Sequence, residues 1–174
     1  MKKTSSRQVT KMITFSYLDK SQKDRWLPKL FDLLYDNMSV IAPGNLTYEE
    51  EKDQWLSNVS PAIDKAPRQI IICTDDDIIA GFAQYYVRGD VLMIEEIQLA
   101  KSYQRTTAFY RMCRYLYNNL PKNIKYIEAY ADKRNLNSIS MMKKLGMQIV
   151  EFEEASPYVH FKGTTEPLRK VLSK

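Results

Sequence analysis

Two adjacent carboxylates, Glu95 and Glu96, interrupt an apolar run made of Val91, Leu92, Met93, Ile94 and Ile97. Such a run reads as a strand, and successive strand side chains point to opposite faces. At least one of the two must then look toward a covered face or a cleft. A carboxylate there either takes a cationic partner or holds its proton more tightly, and the second state suits a general base. On the residues alone both readings stay open. Just downstream the chain turns basic. Lys101, Arg105, Arg111, Arg114, Lys122 and Lys125 occur with no Asp or Glu between them. A loop that leaves a strand and feeds a helix presents unpaired backbone N–H groups along the helix dipole. The amides between Gln104 and Phe109 could therefore receive a phosphate or pyrophosphate, with Lys101 and Arg105 as counter-charge. An ordinary solvated helix start is the competing reading. The loop has no glycine, so neither a Walker A nor a dinucleotide fingerprint fits it.

Little else advertises chemistry. One histidine and no C-x-x-C give no metal-ligand pattern. Cys73 and Cys113 lie far apart in apolar surroundings and read as buried thiols of a reducing compartment. Of the 12 tyrosines, Tyr85, Tyr86, Tyr103, Tyr110, Tyr126, Tyr130 and Tyr158 flank the candidate regions. Most should pack with one satisfied hydroxyl, and a few can line a groove. His160 shares a strand face with Tyr158 and Lys162, while Val159 and Phe161 face the core. It reads as a half-exposed or hydrogen-bonded structural histidine rather than a catalytic one.

The elements that must position these groups follow from period and punctuation. Residues 11–18 give a first strand. A helix capped by Ser21 or Asp24 reaches Asn37 or Met38, with Leu27, Leu30, Leu34 and Met38 on one face; Pro28 marks its regular start or a bend. Thr47 and Glu50 form a capping box for a second helix over 48–58, and Pro61 interrupts it or begins a short extra turn. Strands follow at 68–74, 78–87 and 91–99, joined by an acidic turn and by Arg88-Gly89-Asp90. Phe109, Met112, Cys113, Leu116 and Leu120 define the buried stripe of a helix over 106–119. Residues 124–130 form a strand. Asn135 caps a helix ending at Leu145, with Gly146 in the left-handed region behind it. Strands at 148–152 and 158–161 close the chain. The step from strand 91–99 through the helix to strand 124–130 can be a right-handed parallel crossover. The class is α+β: a mixed, mostly antiparallel twisted sheet with helices on both faces.

The length of 174 residues, 44% apolar and 27% charged, suits a single domain over 11–174 behind a frayed basic tail at 1–10. No apolar run approaches the roughly 18 residues that cross a bilayer, and no signal peptide is visible. A cytoplasmic protein is expected. The net charge of +5 favours anionic ligands without naming one. Glu49, Glu50, Glu51 and Asp53 could attract a cationic substrate, but acidic residues are expected at a helix start. A nucleic-acid reader would use the basic stretch 101–125, yet part of that stretch is committed to a buried helix and no reader motif accompanies it.

Two segments carry a family resemblance. Leu99-Ala100-Lys101-Ser102-Tyr103-Gln104-Arg105-Thr106-Thr107-Ala108-Phe109 is similar to a strand-to-helix motif ending in (Gln/Arg)-x-x-Gly-x-(Gly/Ala). Asn135-Leu136-Asn137-Ser138-Ile139-Ser140-Met141-Met142-Lys143-Lys144-Leu145-Gly146-Met147 is similar to Asn-x-x-Ala-x-x-(Phe/Leu)-Tyr-x-Lys-x-Gly-Phe. With their spacing and the element order, the chain resembles the GCN5-related N-acetyltransferases (GNAT) over roughly residues 12–162. The resemblance implies an acyl-CoA N-acyltransferase fold and acetyl-CoA as cosubstrate, with no metal. It also implies transfer of the acetyl group to a primary amine by direct attack. Leu99, Lys101, Gln104, Arg105, Thr106, Thr107, Ala108, Phe109, Asn135 and Ser138 would hold the cosubstrate. Glu95 is the preferred base and Glu96 the reserve. Thr107 and Phe109 stand where the family usually has small residues; Thr107 fits if its φ is negative, and Phe109 is bulkier. Met142 stands where many members have a tyrosine that protonates the departing thiolate, and a thioether has no proton to give. Tyr103, Tyr110 and Tyr158 are the candidate replacements, and Tyr158 is the one expected to be catalytic. A small-molecule amine or a peptide or protein amine is the expected partner, with no membrane or nucleic acid; a homodimer is an analogy from the fold. The alternative is a non-catalytic CoA-binding or interaction protein with a degenerate site.

Overall fold

In the computed structural model, which describes residues 12–65, 67–151, 154–166 and 169, strands and helices follow the expected order. They are β1 (Ile13–Tyr17), α1 (Lys23–Ile41), α2 (Tyr48–Lys65), β2 (Gln69–Asp75), β3 (Ile78–Arg88), β4 (Val91–Leu99), α3 (Ala108–Asn118), β5 (Tyr126–Asp132), α4 (Leu136–Lys144), β6 (Gln148–Glu151) and β7 (Tyr158–Thr164). The expected tail at 1–10 lies outside the described residues. Asp76-Asp77 and Arg88-Gly89-Asp90 turn the chain between β2, β3 and β4, and Gly89 takes the positive φ of 64° that such a turn asks for. These three strands and β1 are antiparallel. A parallel neighbour needs a crossover, and α3 supplies it between β4 and β5. The seven strands lie in the order β1-β2-β3-β4-β5-β7-β6. The fold is therefore the mixed, mostly antiparallel sheet that the sequence called for.

Helices cover both faces, and β2 shows why its sequence is a continuous apolar run. Ile70 and Ile72 pack with Phe82 against Leu27 and Leu30 of α1 and Val59 and Ile63 of α2. Ile71 and Cys73 face the other way, in the layer that holds Met112, Cys113 and Leu116 of α3 and Met142 of α4. A strand buried on both sides has no polar face to show. Cys73 and Cys113 are free, buried thiols. Burial pushes them up to about 11 and about 12, so neither is a ready nucleophile.

Two helix expectations need correction. Helix α2 does not stop near Asn58; it runs through Pro61 to Lys65. Burying Val59 and Ile63 outweighs the one backbone bond that proline removes. Helix α1 likewise begins five residues before Pro28 and continues to Ile41. Pro28 is therefore its sixth residue, past the first turn, and burial of Leu27, Leu30 and Phe31 around it outweighs the one backbone bond it removes. The capping box forms as expected: the Thr47 N–H donates to Glu50 Oε2 at 2.8 Å and the Glu50 N–H to Thr47 Oγ1 at 3.4 Å.

Candidate active site

Strands β4 and β5 pair only over Val91–Ile94 and Tyr126–Ala129. Beyond that point β4 stays with β3 as far as Leu99, while β5 follows β7 to Asp132. The two strands part, and the gap is a cleft of about 470 Å³. Ile94–Gln98 form one wall and Ala129–Asp132 the other. Asn135, Ser138 and Met142 of α4, Tyr158 of β7, and Met38 with Ala42–Gly44 at the end of α1 complete it.

Strict alternation would set Glu95 and Glu96 on opposite faces of the sheet. A β-bulge prevents it. Gln84 pairs with Glu96 and the next residue, Tyr85, with Ile94, so Glu95 is the extra residue. A bulge re-aims side chains by breaking the alternation, and here both carboxylates line the cleft. Their surroundings differ. Glu95 is held by Arg68, whose Nε and Nη2 donate to its two oxygens, and by Gln84 Nε2 at 3.0 Å. That is a bidentate, charge-compensated clamp. Gln84 is buried, and its own Oε1 has no partner among the described residues. Glu96 has no cationic partner among the ion pairs of the described residues and receives one neutral donor, Gln98 Nε2, at 3.1 Å. Burial, reinforced by the charge on Glu95, pushes the Glu96 carboxyl up to about 7, against the opposing pull of the Gln98 hydrogen bond.

The turn after β4 supplies a second set of groups. Thr107, at the N-cap of α3, has φ of −75° and makes no side-chain cap, which meets the condition set for a β-branched residue there. Arg105 takes φ of +61°. Of the amides expected to face a phosphate, two are in use: Gln104 N–H donates to Ala100 O at 3.2 Å, and Ala108 N–H to Thr106 Oγ1 at 3.1 Å. The amides of Arg105, Thr106, Thr107 and Phe109 make no hydrogen bond among the described residues. Ala108 is buried and Phe109 half-buried. The carbonyl of Leu99, at the free end of β4, accepts from Asn37 Nδ2 and from Gln104 Nε2, both at 3.0 Å.

Among the predicted site residues, the cleft gathers Glu95, Glu96, Asn135, Ser138 and Tyr158. Leu99, Lys101 and residues 104–109 are not in its walls; they continue from its β4 wall as the adjoining turn. Asn135 Oδ1 accepts from the Ser138 N–H at 3.0 Å, which caps α4 and fixes both residues at the rim. Tyr103 and Tyr110 do not line the cleft. The Tyr103 hydroxyl donates to Asp75 at 2.7 Å, and that bond leads its rise to about 12. Tyr158 is exposed and lines the cleft, and Met142 is buried in its wall. His160 stacks on Tyr130 at 4.4 Å and lies 3.4 Å from Glu128, a packing role. None of Glu49, Glu50, Glu51 or Asp53 reaches the cleft.

Several residues here escaped the sequence reading: Arg68, Asn37, Gln98, Asp132 and Arg134. Asp132 lines the cleft and accepts from Arg134 Nε and Nη2 at 2.9 and 2.8 Å. The one local hint was a glutamine, Gln84 or Gln98, inside a strand otherwise rich in apolar residues. Among the described residues no group of three or more His, Cys, Asp or Glu side chains is placed to hold a metal, and no helix is long and apolar enough to cross a membrane.

No protein-family profile matches the chain, and no curated protein matches it in sequence. Solved structures do match. The PaiA N-acetyltransferase of Thermoplasma acidophilum, solved in complex with coenzyme A, is similar over 88% of this chain and 99% of its own, with a TM-score of 0.69 at 11% identity. An acetyltransferase from Thermus thermophilus covers 88% and 97%, with a TM-score of 0.69 at 9% identity. The spermidine/spermine N-acetyltransferase SpeG of Vibrio cholerae, as mutant forms, covers 93% and 98%, with a TM-score of 0.60 at 12% identity. The chain therefore has the GNAT acetyltransferase fold.

Proposed function

We propose that this GNAT-fold chain is an acetyl-CoA-dependent N-acetyltransferase that uses Glu96, rather than Glu95, as its general base. The observation that carries the reading is the parting of β4 from β5 beside the unpaired turn amides, with a carboxyl titrating near neutrality in the gap. The amides of Arg105, Thr106, Thr107 and Phe109 suit a diphosphate. The open edge of β4 suits the amide-bearing arm of the cosubstrate, and Asn135 and Ser138 flank its path. A neutral primary amine attacks the thioester carbonyl, and the carbon–sulfur bond breaks as the carbon–nitrogen bond forms. Glu96 takes the amine proton. The CoA thiolate leaves and is protonated by Tyr158 or by water. Glu95 cannot share the base role while Arg68 and Gln84 hold both its oxygens. A base titrating near the working pH is what efficient proton abstraction needs, and holding both substrates in one cleft supplies proximity.

A second reading has its own support. Met142 in the cleft wall donates no proton, and Leu99 O is already satisfied by Asn37 and Gln104. A chain that binds CoA without turning it over fits both facts. Calorimetric titration with acetyl-CoA, followed by thiol release against small amines, peptide N-termini and lysine peptides, separates the two. Binding with release supports the transferase; binding without release across all three classes leaves the non-catalytic reading; no binding rejects both.

A further inference from the structure

The amides near Glu96 form a chain with one direction. Gln104 Nε2 donates to Asn37 Oδ1 at 3.4 Å. Asn37 Nδ2 donates to Gln98 Oε1 at 2.9 Å, and Gln98 Nε2 donates to Glu96 Oε2 at 3.1 Å. Each amide fixes which way round the next one sits. A primary amide has an oxygen at one end and an NH2 at the other, and the two ends are nearly equal in shape. Left to itself, a buried glutamine beside a carboxylate could turn either end toward it. Gln98 has no such choice, because the Asn37 NH2 claims its oxygen. Its NH2 is then committed to Glu96, and amide dipoles aligned head to tail polarise one another.

We propose that Asn37, on α1, and Gln98, on β4, are positioning residues: Asn37 sets the orientation of the Gln98 amide, and Gln98 thereby aims and charges the Glu96 carboxylate. This rests on Glu96 being the base of the proposed reaction. Other charged and titratable groups face the same space: Glu95 with its partner Arg68, Asp132 with its partner Arg134, and Tyr130 and Tyr158. The two arginines are each clamped to a carboxylate, and among the described residues Gln98 is the donor hydrogen-bonded to Glu96, favouring its ionised form.

The test reads the carboxyl itself, so it does not depend on turnover. Glutamate is 13C-labelled at the carboxyl, the Glu96 signal is identified by its loss in Glu96→Gln, and its titration is followed in the free protein. Gln98→Leu removes the donor and should raise the Glu96 midpoint by about one pH unit. Asn37→Leu should raise it too, because the freed Gln98 amide no longer keeps its NH2 forward. The double variant should go no higher than Gln98→Leu alone, since Asn37 acts only through Gln98. An unmoved midpoint in Gln98→Leu, or shifts that simply add, would overturn the proposal. If Gln98→Leu fails to fold, Asn37→Leu alone decides it: an unchanged midpoint rejects the relay. Should thiol release be absent while the midpoints move as stated, the transferase reading fails and the relay stands.

Discussion

From Val91 to Ile94, β4 has a strand on each edge; from Glu95 to Leu99 it has one. The first stretch is Val, Leu, Met and Ile, and it belongs to the core. The second is Glu, Glu, Ile, Gln and Leu, and as far as Gln98 it walls a cleft. One strand thus changes chemistry where its second neighbour leaves. Paired on both edges and covered on both faces, it can hold only apolar side chains. Unpaired on one edge, it has backbone groups and space to offer a ligand, and the bulge at Glu95 marks the change.

If that division holds, lesions in the two halves should fail in different ways. The largest effect is expected for Glu96→Gln, which should lower thiol-release turnover by roughly 10²–10⁴-fold and abolish a rising limb near pH 7 in the rate profile. Glu95→Gln should keep that limb, since its partner clamp is structural; an equal loss of the limb would erase the distinction between the two carboxylates. In the paired half, Leu92→Ala should cost about 2–5 kcal/mol in urea unfolding, because Leu92 is fully buried. The folded remainder should keep its turnover.

Glu96 also predicts a stability change with a definite sign. Its folded pKa, about 7, lies above the unfolded value near 4.5. Between those values the folded chain keeps a proton that the unfolded chain has released, so stability falls as pH rises through the window. Glu96→Gln removes this loss. Its stability relative to the parent should rise by about 1–3 kcal/mol between pH 4 and pH 8, and a flat difference would contradict the shifted carboxyl. The smallest effect concerns Arg105, whose positive φ disfavours a side chain. Arg105→Gly should stabilise the fold by about 0.5 kcal/mol after glycine's greater chain entropy is counted, while CoA binding weakens through the lost charge.

Much of this architecture was legible in the residues. The stripe Met112, Cys113, Leu116 named the inner face of α3, Gly89 named a turn, and Thr47 with Glu50 named the start of α2. These are local signals, set by period and by backbone chemistry. The site was legible as a neighbourhood only. Glu95 and Glu96 could be singled out, but strand alternation assigned their faces wrongly, because no glycine announces the bulge. Arg68, Asn37 and Gln98 carry no local mark of their partners; 27 residues separate Arg68 from Glu95 and 61 separate Asn37 from Gln98. Such contacts exist only once the sheet is assembled. Pro61 misled in the opposite direction, since tertiary burial of Val59 and Ile63 overrode a local penalty.

In the proposed reaction the turn after β4 and the open edge of that strand receive the cosubstrate together. An amide-resolved NMR titration of the free chain with CoA addresses it directly. Saturable shifts are expected at Arg105, Thr106, Thr107 and Phe109 and along Ile97–Leu99, with the paired residues Val91–Ile94 unmoved. Saturating CoA that leaves those turn amides in place, or shifts only residues remote from the cleft, would contradict it.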